Sequence, residues 1–507
     1  MRVGYASTSA QREMPELIKG YDGSLMNGLL TNPRFVSAID NPDANMLGLI
    51  SAAYPLGGIA GILPAPWVAD KYGRRMAVMC GALCIIAGGL VQTFTTGGKN
   101  MLGGRLIVGV GSAFQSIGTP SWVAETAHPR NRAQTSALIN TCWYIGSIIA
   151  AWTVFGALDI QGSWSWRLCC LIQIFPCCIQ LGLLFFTEES PRWLIRNGKE
   201  QQALRILARF HANGDQNDEL VQFEFQEICQ AIAAEQVATA GVTLMSFTKT
   251  KGNRHRLLIL IVSSFGDSAD LELVGVYSQW VGNGIISYYL GSILSSVGLT
   301  GSLQQAGFNG GLQIFNWLAA MGGSLLCERL GRRFLWLTSA IGMLASFIII
   351  TACSAVYANT QQVAAGRAVM AFLFIYFGFY DIAFTGLTLA YPLEILPFSL
   401  RAKGLAILNF TISAALFFNQ YVNPIALKAL AWKYYFVYIG VLVTAVLSIY
   451  FFYPETRRRT LEEVSLIFDG PDAQLPVQED LVREHMSDLD EKKQGDAYHV
   501  ESVNGGK

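Results

Sequence analysis

Long apolar segments alternate with short polar ones along almost the whole chain. Eleven of these segments are close to or longer than the roughly 20 residues that a helix needs to cross a bilayer. A twelfth, shorter segment covers residues 20–30. The pattern therefore predicts an all-α membrane protein with twelve spans, of which the first is incomplete. The eleven long segments cover residues 46–69, 76–96, 101–124, 134–157, 167–187, 274–297, 307–327, 334–357, 363–391, 404–427 and 433–453.

Two longer polar regions interrupt this series of spans. Residues 188–256 separate six spans from the next six, and residues 454–507 form a charged tail. In the middle region, Leu204, Leu207 and Phe210 recur near helical spacing, which favours short amphipathic helices. The predicted layout is an atypical N-terminus at 1–19, a six-helix bundle at 20–187, a linker with amphipathic helices at 188–256, a second six-helix bundle at 257–453 and a cytoplasmic tail at 454–507.

The composition argues against an ordinary soluble enzyme. Hydrophobic residues make up 52% of the 507 residues and charged residues only 14%, against about 25% charged in a typical soluble domain. Basic and acidic residues balance at 36 each, so no overall positive charge indicates a nucleic-acid partner. Nine of the ten cysteines lie in apolar runs, which is typical of buried packing residues and not of disulfides or metal ligands. We therefore expect no cofactor and no metal.

Lysine and arginine are concentrated on one side of the predicted spans. The loops on that side, together with residues 188–256, carry 19 of them, whereas the opposite loops carry only Arg34, Lys99, Lys428 and Lys433. Basic loops are retained in the cytoplasm. We therefore predict that the middle region and both termini face the cytoplasm.

Two loop patterns occur twice, about 260 residues apart along the chain. Segments 70–75 and 328–333 share an acid, a glycine and an arginine at the same spacing. Segments 122–132 and 391–401 share an aromatic residue, an acid and an arginine. Parallel repeats of six helices are typical of transporters whose halves rock about a site between them.

These motifs resemble those of the sugar porter family within the major facilitator superfamily. The likeness extends from Gly20 to Glu463 and includes the segments 105–111, 189–192 and 454–457. Segments 20–28 and 278–289 are similar to the fungal lactose-permease and hexose-transporter-like branch. The resemblance implies the major facilitator fold and transport of a hexose or disaccharide by alternating access, in symport with protons. It implies a monomer in the plasma membrane that needs no enzymatic chemistry.

Asp22 and Arg105 are charged residues at the predicted depth of the membrane. A lone charge there costs roughly 2.5–3.5 kcal/mol on insertion scales, so each needs a partner and each is the best candidate for the other. The resemblance implies that this aspartate takes up the proton and that this arginine pairs with it. A static structural pair is the alternative. Asp381 is a second intramembrane acid, and the sequence leaves open whether it contacts substrate or another helix.

The repeated acids and arginines in the cytoplasmic loops indicate a latch. They can pair across the ends of neighbouring helices, where the helix dipole adds to the attraction, while the cytoplasmic face is closed. Simple anchoring of the loops would explain the arginines but not the acids. The predicted latch residues are Asp70, Arg74, Arg75, Glu125, Arg132, Glu189, Arg192, Glu328, Arg332, Arg333, Glu394, Arg401, Glu455 and Arg457.

Amide, hydroxyl and aromatic side chains within the spans are candidates for a sugar site, because a sugar needs hydrogen bonds and ring faces in a dry cavity. Any one of them is equally able to join two helices. Asn309, Asn316 and Asn419 are candidates of lower rank. The predicted substrate-binding residues are Asn140, Gln279, Trp280, Asn283, Tyr288, Phe384 and Asn409.

Two segments do not fit this pattern. Residues 1–19 carry charges where lipid-facing side chains belong, so either the true start lies upstream or the first span is defective. Residues 262–277 hold three acids beside the seventh span, and we hypothesise either an in-frame unspliced intron or a lengthened lead-in. Two alternatives to a transporter therefore stay open: a non-transporting sugar sensor of the same fold, and the inactive product of a damaged or misannotated gene.

Overall fold

The protein is described here by a computed structural model that covers residues 2–126, 132–212, 214–239, 245–249, 253–254, 256–257, 274–396, 398–453 and 455. All regular secondary structure in these residues is helical. The chain divides into two compact units. The larger comprises Met1–Glu189, Leu258–Glu394 and Leu405–Arg458, and the smaller comprises Ser190–Leu257, Ile395–Gly404 and Arg459–Lys507.

The first part of the larger unit is a series of helices joined by short connections. They are α1 (Arg2–Leu30), α2 (Pro33–Ala38), α3 (Ala44–Ile62), α4 (Pro64–Tyr72), α5 (Arg74–Phe94), α6 (Gly98–Thr126), α7 (Arg132–Ala157), α8 (Trp164–Ile172) and α9 (Ile174–Leu184).

The smaller unit contains α10 (Pro191–Arg196), α11 (Glu200–His211), α12 (Glu219–Thr239) and α13 (Ser246–Lys249). Leu194, Ala203, Ile206 and Ile232 form one apolar cluster of this unit. Helices therefore occupy much of the polar middle region, and α10, α11 and α12 bury their apolar faces against one another.

The second part of the larger unit is again a series of helices, two of which, with 33 residues each, are longer than any helix of the first part. They are α14 (Val274–Trp280), α15 (Asn283–Ser296), α16 (Ser302–Leu330), α17 (Arg332–Thr360), α18 (Val363–Ile395), α19 (Phe398–Leu430) and α20 (Tyr435–Phe452), with a 3₁₀ turn at Ala431–Tyr434 before the last. The last residue of α18 and the first residues of α19 belong to the smaller unit, which includes Ile395–Gly404.

Six helical stretches of the described residues are long and apolar enough to cross a membrane. The first helix is not among them. With 29 residues α1 is long enough to be a span, but its polar residues make its mean hydropathy too low for one. The stretches are Ala44–Ile62, Arg74–Phe94, Trp164–Leu184, Arg332–Thr360, Val363–Thr388 and Lys403–Phe451.

Three of the predicted spans are broken at positions where the sequence predicts a continuous helix. Segment 46–69 is interrupted before Pro64, the first residue of α4. Segment 167–187 is interrupted at Gln173, because Pro176 cannot donate to the carbonyl of Ile172. Segment 274–297 is interrupted next to Gly282, whose φ of 111° is open to glycine and not to most other residues. Most of the unusual segment 262–277 lies outside the described residues, which begin again at residue 274.

Glycines allow α1 and α7 to pack with their backbones in contact. A Cβ atom on Gly146 of α7 would lie 2.0 Å from the carbonyl oxygen of Leu17. A Cβ atom on Gly20 of α1 would lie 1.8 Å from the carbonyl oxygen of Trp143. Close backbone approach of this kind strengthens helix packing in lipid, where the hydrophobic effect between helices is weak.

We expect Gly146→Ala to destabilise the protein, because neither backbone can yield to the added methyl group. Overpacking of this kind typically costs about 1–3 kcal/mol. The measurement is the thermal unfolding temperature of the purified protein in detergent. Gly156→Ala in the same helix is the control, since its Cβ meets nothing within 4 Å, and alanine favours helix over glycine. Equal unfolding temperatures for the two variants would contradict the packing argument.

Candidate functional site

Asp22 of α1 and Arg105 of α6 lie in the interior of the larger unit, with 2% and 3% of their surfaces exposed. The charge of Arg105 acts on the Asp22 carboxylate, and the side chain of Gln173 lies beside it. Among the described residues, neither oxygen of Asp22 has a hydrogen-bond partner. The guanidinium carbon of Arg105 lies 5.8 Å from the ring centre of Tyr54. The predicted partners thus share one buried environment without forming a direct bond.

A chain of hydrogen bonds connects α1 and α7 with α16. The hydroxyl of Ser147 donates to Oε1 of Gln313 at 2.8 Å. Ser24 therefore donates to Ser147, with 2.5 Å between the two oxygens. A parallel bond runs from Nδ2 of Asn27 to Oδ1 of Asn309 at 3.3 Å. Helices from the two halves of the chain thus meet through neutral polar side chains, which is a surface that also suits hydroxyl-rich ligands.

Asn283 begins α15 and connects it with α18. Its Nδ2 donates to the Tyr380 hydroxyl oxygen at 2.9 Å and to the Ser278 carbonyl at 3.0 Å. The Tyr380 ring stacks on Phe384, with 5.5 Å between ring centres and 16° between planes. Within the described residues, Oδ1 of Asn283 has no hydrogen-bond partner. This oxygen is thus a buried acceptor at the break between α14 and α15 that has no described donor.

Gln279 and Trp280 end α14. The indole nitrogen of Trp280 donates to the Ala415 carbonyl at 3.0 Å, and its ring stacks on Phe418 with 4.9 Å between centres. These contacts leave Trp280 engaged in packing against α19. Nε2 of Gln279 lies 3.4 Å from the Ser278 hydroxyl, a long bond that a ligand can replace.

The other predicted substrate residues differ in their surroundings. Tyr288 of α15 is half-buried and lies within the electrostatic reach of Arg105. Asn409 is exposed on α19, apart from the buried candidates. The side chain of Asn140 lies outside what the structure describes. The role of each of these residues in binding stays a prediction.

Asp381 of α18 is buried and bonded to neutral groups. Tyr144 of α7 donates to Oδ1 of Asp381 at 2.6 Å, and Thr385 donates to the same oxygen at 2.8 Å. The hydroxyl groups of Tyr144 and Thr385 are 2.9 Å apart. Oδ2 of Asp381 has no hydrogen-bond partner among the described residues. The sequence left two roles open for this acid, and the structure gives it a helix contact.

Several polar residues of this interior were not predicted from the sequence. Gln313 and Gln173 each interrupt an apolar run, and that is a signal that could have identified them. Tyr144 offers no such signal, because a tyrosine in an apolar helix is most often a packing residue. Ser24 and Ser147 are equally inconspicuous, since small hydroxyl residues are common between membrane helices.

The first latch motif is centred on Glu189, which follows α9. Its carboxylate accepts hydrogen bonds from the backbone N–H groups of Arg74 at 3.0 Å and Arg75 at 3.2 Å. These are the first two residues of α5, so Glu189 caps that helix. Gly73 makes room for the cap, because its φ is 104° and a Cβ would lie 2.1 Å from a Glu189 oxygen. The Arg74 side chain also bridges Glu125, at 3.2 Å.

The second latch motif repeats this geometry in the other half of the chain. Glu455 accepts hydrogen bonds from the backbone N–H groups of Arg332 at 3.0 Å and Arg333 at 3.1 Å, at the start of α17. Gly331 precedes them with a φ of 98°. The two glutamates therefore cap equivalent helices in the two repeats.

The remaining latch residues are less fully described. Asp70 bonds the Arg74 side chain at 3.2 Å, with 56% of its side chain exposed. Arg192 lies in the first turn of α10. Each of these described contacts joins two residues of the same half of the chain, so none of them connects the two repeats. The side chains of Arg132, Glu328, Glu394 and Arg401, and the whole of Arg457, lie outside the described residues.

A family model described as "Sugar (and other) transporter" matches residues 13–468. The chain belongs to this family. The match includes the Asp22 and Arg105 site, the Asp381 cluster and both glutamate caps.

Similar proteins occur in fungi. The sugar transporter STL1 of Saccharomyces cerevisiae is 28% identical over 466 residues, which cover 89% of this chain and 78% of that protein. The high-affinity glucose transporter of Kluyveromyces lactis is 26% identical over 468 residues, covering 88% and 82%. The MFS-type transporter oryC of Aspergillus oryzae is 28% identical over 455 residues, covering 88% and 82%.

Solved structures share the fold. The inward-open structure of the xylose transporter XylE from E. coli matches with a TM-score of 0.73 and 20% identity, over 91% of this chain and 99% of that one. The predicted all-α membrane architecture of the major facilitator type is confirmed. With its long apolar helices, this transporter-family chain is a multi-pass membrane protein.

Proposed function

We propose that the protein moves a sugar or similar polyol across the plasma membrane by alternating access, in symport with protons, with both termini in the cytoplasm. The observation that carries this proposal is the buried pair Asp22 and Arg105, two ionisable residues of opposite sign that interact electrostatically without a described direct bond. Burying two opposite charges costs free energy, so such residues are normally paired with each other or have a function such as proton transfer. A carboxylate that is not hydrogen-bonded to its arginine can take up a proton and so become neutral.

The surroundings of this pair supply the sugar site of the proposal. The interior carries amide and hydroxyl groups from α1, α7, α15 and α16, and Phe384 and Tyr380 add stacked aromatic faces. An unsatisfied acceptor on Asn283 and the weakly bonded amide of Gln279 are the groups best placed to bind hydroxyls. The relatives named as sugar and glucose transporters, and a solved xylose symporter of the same fold, support this substrate class.

The latch belongs to the same proposal. Each glutamate cap fixes the start of one helix to the end of its own six-helix repeat, which keeps that repeat rigid when the repeats tilt. The arginines next to these caps then meet acids at neighbouring helix ends while the cytoplasmic face is closed. Separation of those pairs accompanies opening toward the cytoplasm.

Uptake in a yeast strain that lacks its own sugar carriers tests the proposal. The radiolabelled panel is one hexose, one pentose, one disaccharide and one polyol, with and without a protonophore. We expect at least one compound to accumulate inside the cells above its external concentration. With the protonophore, we expect its internal concentration to fall to the external one. An uptake that is indifferent to the protonophore would refute symport. Binding of a sugar without flux, by a tagged protein shown to reach the cell surface, would identify a sensor and refute transport.

A further inference from the structure

Asp381 is a buried acid that the Asp22 and Arg105 mechanism does not use. It lies on α18 with 2% of its surface exposed. Its bond from Tyr144 connects α18 in the second half of the chain with α7 in the first half. The cluster therefore lies at a contact that must change when two six-helix repeats tilt against each other.

The hydrogen bonds of this carboxyl group are unequally shared between its oxygens. Oδ1 accepts from both Tyr144 and Thr385, at 2.6 and 2.8 Å. Oδ2 is buried and has no partner among the described residues. A carboxylate spreads its charge over both oxygens and gains from donors at each. A protonated acid, in contrast, has one carbonyl oxygen that accepts bonds and one hydroxyl that donates.

The part of these surroundings that the structure describes provides no ion pair for an ionised form. Within the described residues, no lysine, arginine or histidine forms an ion pair with Asp381. The described titratable groups that interact with it are tyrosines, namely Tyr144 from α7 and Tyr376 and Tyr380 on α18 itself. Tyr288 from α15 interacts in turn with Tyr380. α16 and α17 meet this part of α18 through neutral groups, Gly323 and Ser339.

We propose that Asp381 is a second proton-binding site, which takes a proton onto Oδ2 while Tyr144 and Thr385 hold Oδ1. In the protonated form the cluster is neutral and α7 and α18 remain in contact. Release of the proton to water leaves a charge that needs hydration, so the ionised form favours separation of α7 from α18. The proton is taken from and returned to water on the side to which the opened contact gives access. This inference rests on the proposed function only for its link to transport.

Infrared difference spectroscopy of the purified protein without sugar tests the site directly. A protonated carboxyl group has a C=O stretching band that a carboxylate lacks. We expect the wild type to contain a protonated-acid band that decreases on raising the pH and that Asp381→Asn removes. Asp22→Asn is expected to leave that band in place. Two results would overturn the proposal. One is a band that Asp381→Asn leaves unchanged, and the other is a band that Asp381→Asn removes but that does not decrease with rising pH in the wild type.

Two further variants keep the test decisive if the asparagine variant folds poorly. Tyr144→Phe removes one donor to Oδ1 and is expected to change the pH midpoint of the band. Tyr376→Phe is the matched control, since its hydroxyl donates to the Val281 carbonyl at 2.9 Å and not to Asp381. We expect no change of midpoint in that control. Identical midpoints in wild type and Tyr144→Phe would also count against the site.

The failure of this inference is distinguishable from the failure of the proposed function. Where a sugar is transported, exchange of labelled for unlabelled sugar in vesicles without a proton gradient is expected to depend less strongly on pH in Asp381→Asn than in the wild type, with Asp22 responsible for the dependence that remains. If no sugar of the panel is transported, the spectroscopic test still decides the site. If sugar is transported and the band does not titrate, only this inference is wrong.

Discussion

Asp22→Asn is expected to abolish accumulation of sugar above its external concentration while leaving exchange of sugar across the membrane. Asparagine keeps the size of the buried side chain but cannot take up a proton. The substitution also removes the negative charge that acts on Arg105, so the arginine no longer meets a partner that changes charge. We expect uptake driven by the proton gradient to fall at least tenfold, measured as the steady-state ratio of internal to external labelled sugar.

Asp40→Asn is the matched control for this experiment. It makes the same acid-to-amide change in the same half of the chain, but Asp40 is exposed. Its φ of 64° is a conformation that asparagine also tolerates. We expect accumulation in this variant to equal that of the wild type. Normal accumulation by Asp22→Asn at equal surface expression would show that coupling lies elsewhere in the molecule.

The positions of the helices could be predicted from the sequence because a chain in lipid has few alternatives. A run of some 20 apolar residues has to satisfy its backbone groups internally, and an α-helix is the way to do so within one segment. The interruptions could not be predicted as well. Gly282 and Gln173 lie inside apolar runs, and hydropathy does not separate a continuous helix from two helices joined end to end. Pro176 was a usable signal, since a proline removes one backbone bond.

The candidate site was predictable to the extent that its residues are out of place in lipid. Asp22, Arg105 and Asp381 are charged residues in apolar surroundings, so the sequence alone marks them. Their partners are harder to predict, because Tyr144 and Thr385 are ordinary residues for a membrane helix. Pairing also depends on which helices are neighbours, and one sequence does not contain that information. The contact between Tyr144 and Asp381 spans 237 positions.

Glu189 shows a similar limit at the cytoplasmic side. The repeated motifs predicted that acids and arginines lie near helix ends, with arginine side chains as partners of the acids. In the structure the described partners of Glu189 are the backbone N–H groups of Arg74 and Arg75. The arginine side chain is left to bridge Asp70 and Glu125 instead. A motif thus indicates which residues meet, but not which atoms of them do.

Glu189→Ala is expected to lower the thermal stability of the protein and to slow transport. The substitution leaves the backbone N–H groups of Arg74 and Arg75, at the start of α5, without their acceptor. It also removes a negative charge from the positive end of that helix. Loss of a helix cap typically costs about 0.5–2 kcal/mol, and we expect the upper part of that range because both oxygens of Glu189 are used. Thermal unfolding in detergent measures the change.

Two comparisons separate this cap from a general effect of charge at the cytoplasmic face. Asp70→Ala removes an acid that is mostly exposed, and exposed ion pairs contribute about 0–1 kcal/mol, so its effect is expected to be smaller. Glu455→Ala removes the equivalent cap of α17 and is expected to match Glu189→Ala. If the glutamates act only as caps of separate repeats, their effects on stability add in the double variant. If they also share a latch, the double variant departs from additivity in its transport rate. An unfolding temperature for Glu189→Ala no lower than that for Asp70→Ala would show that the backbone bonds of Glu189 do not stabilise α5.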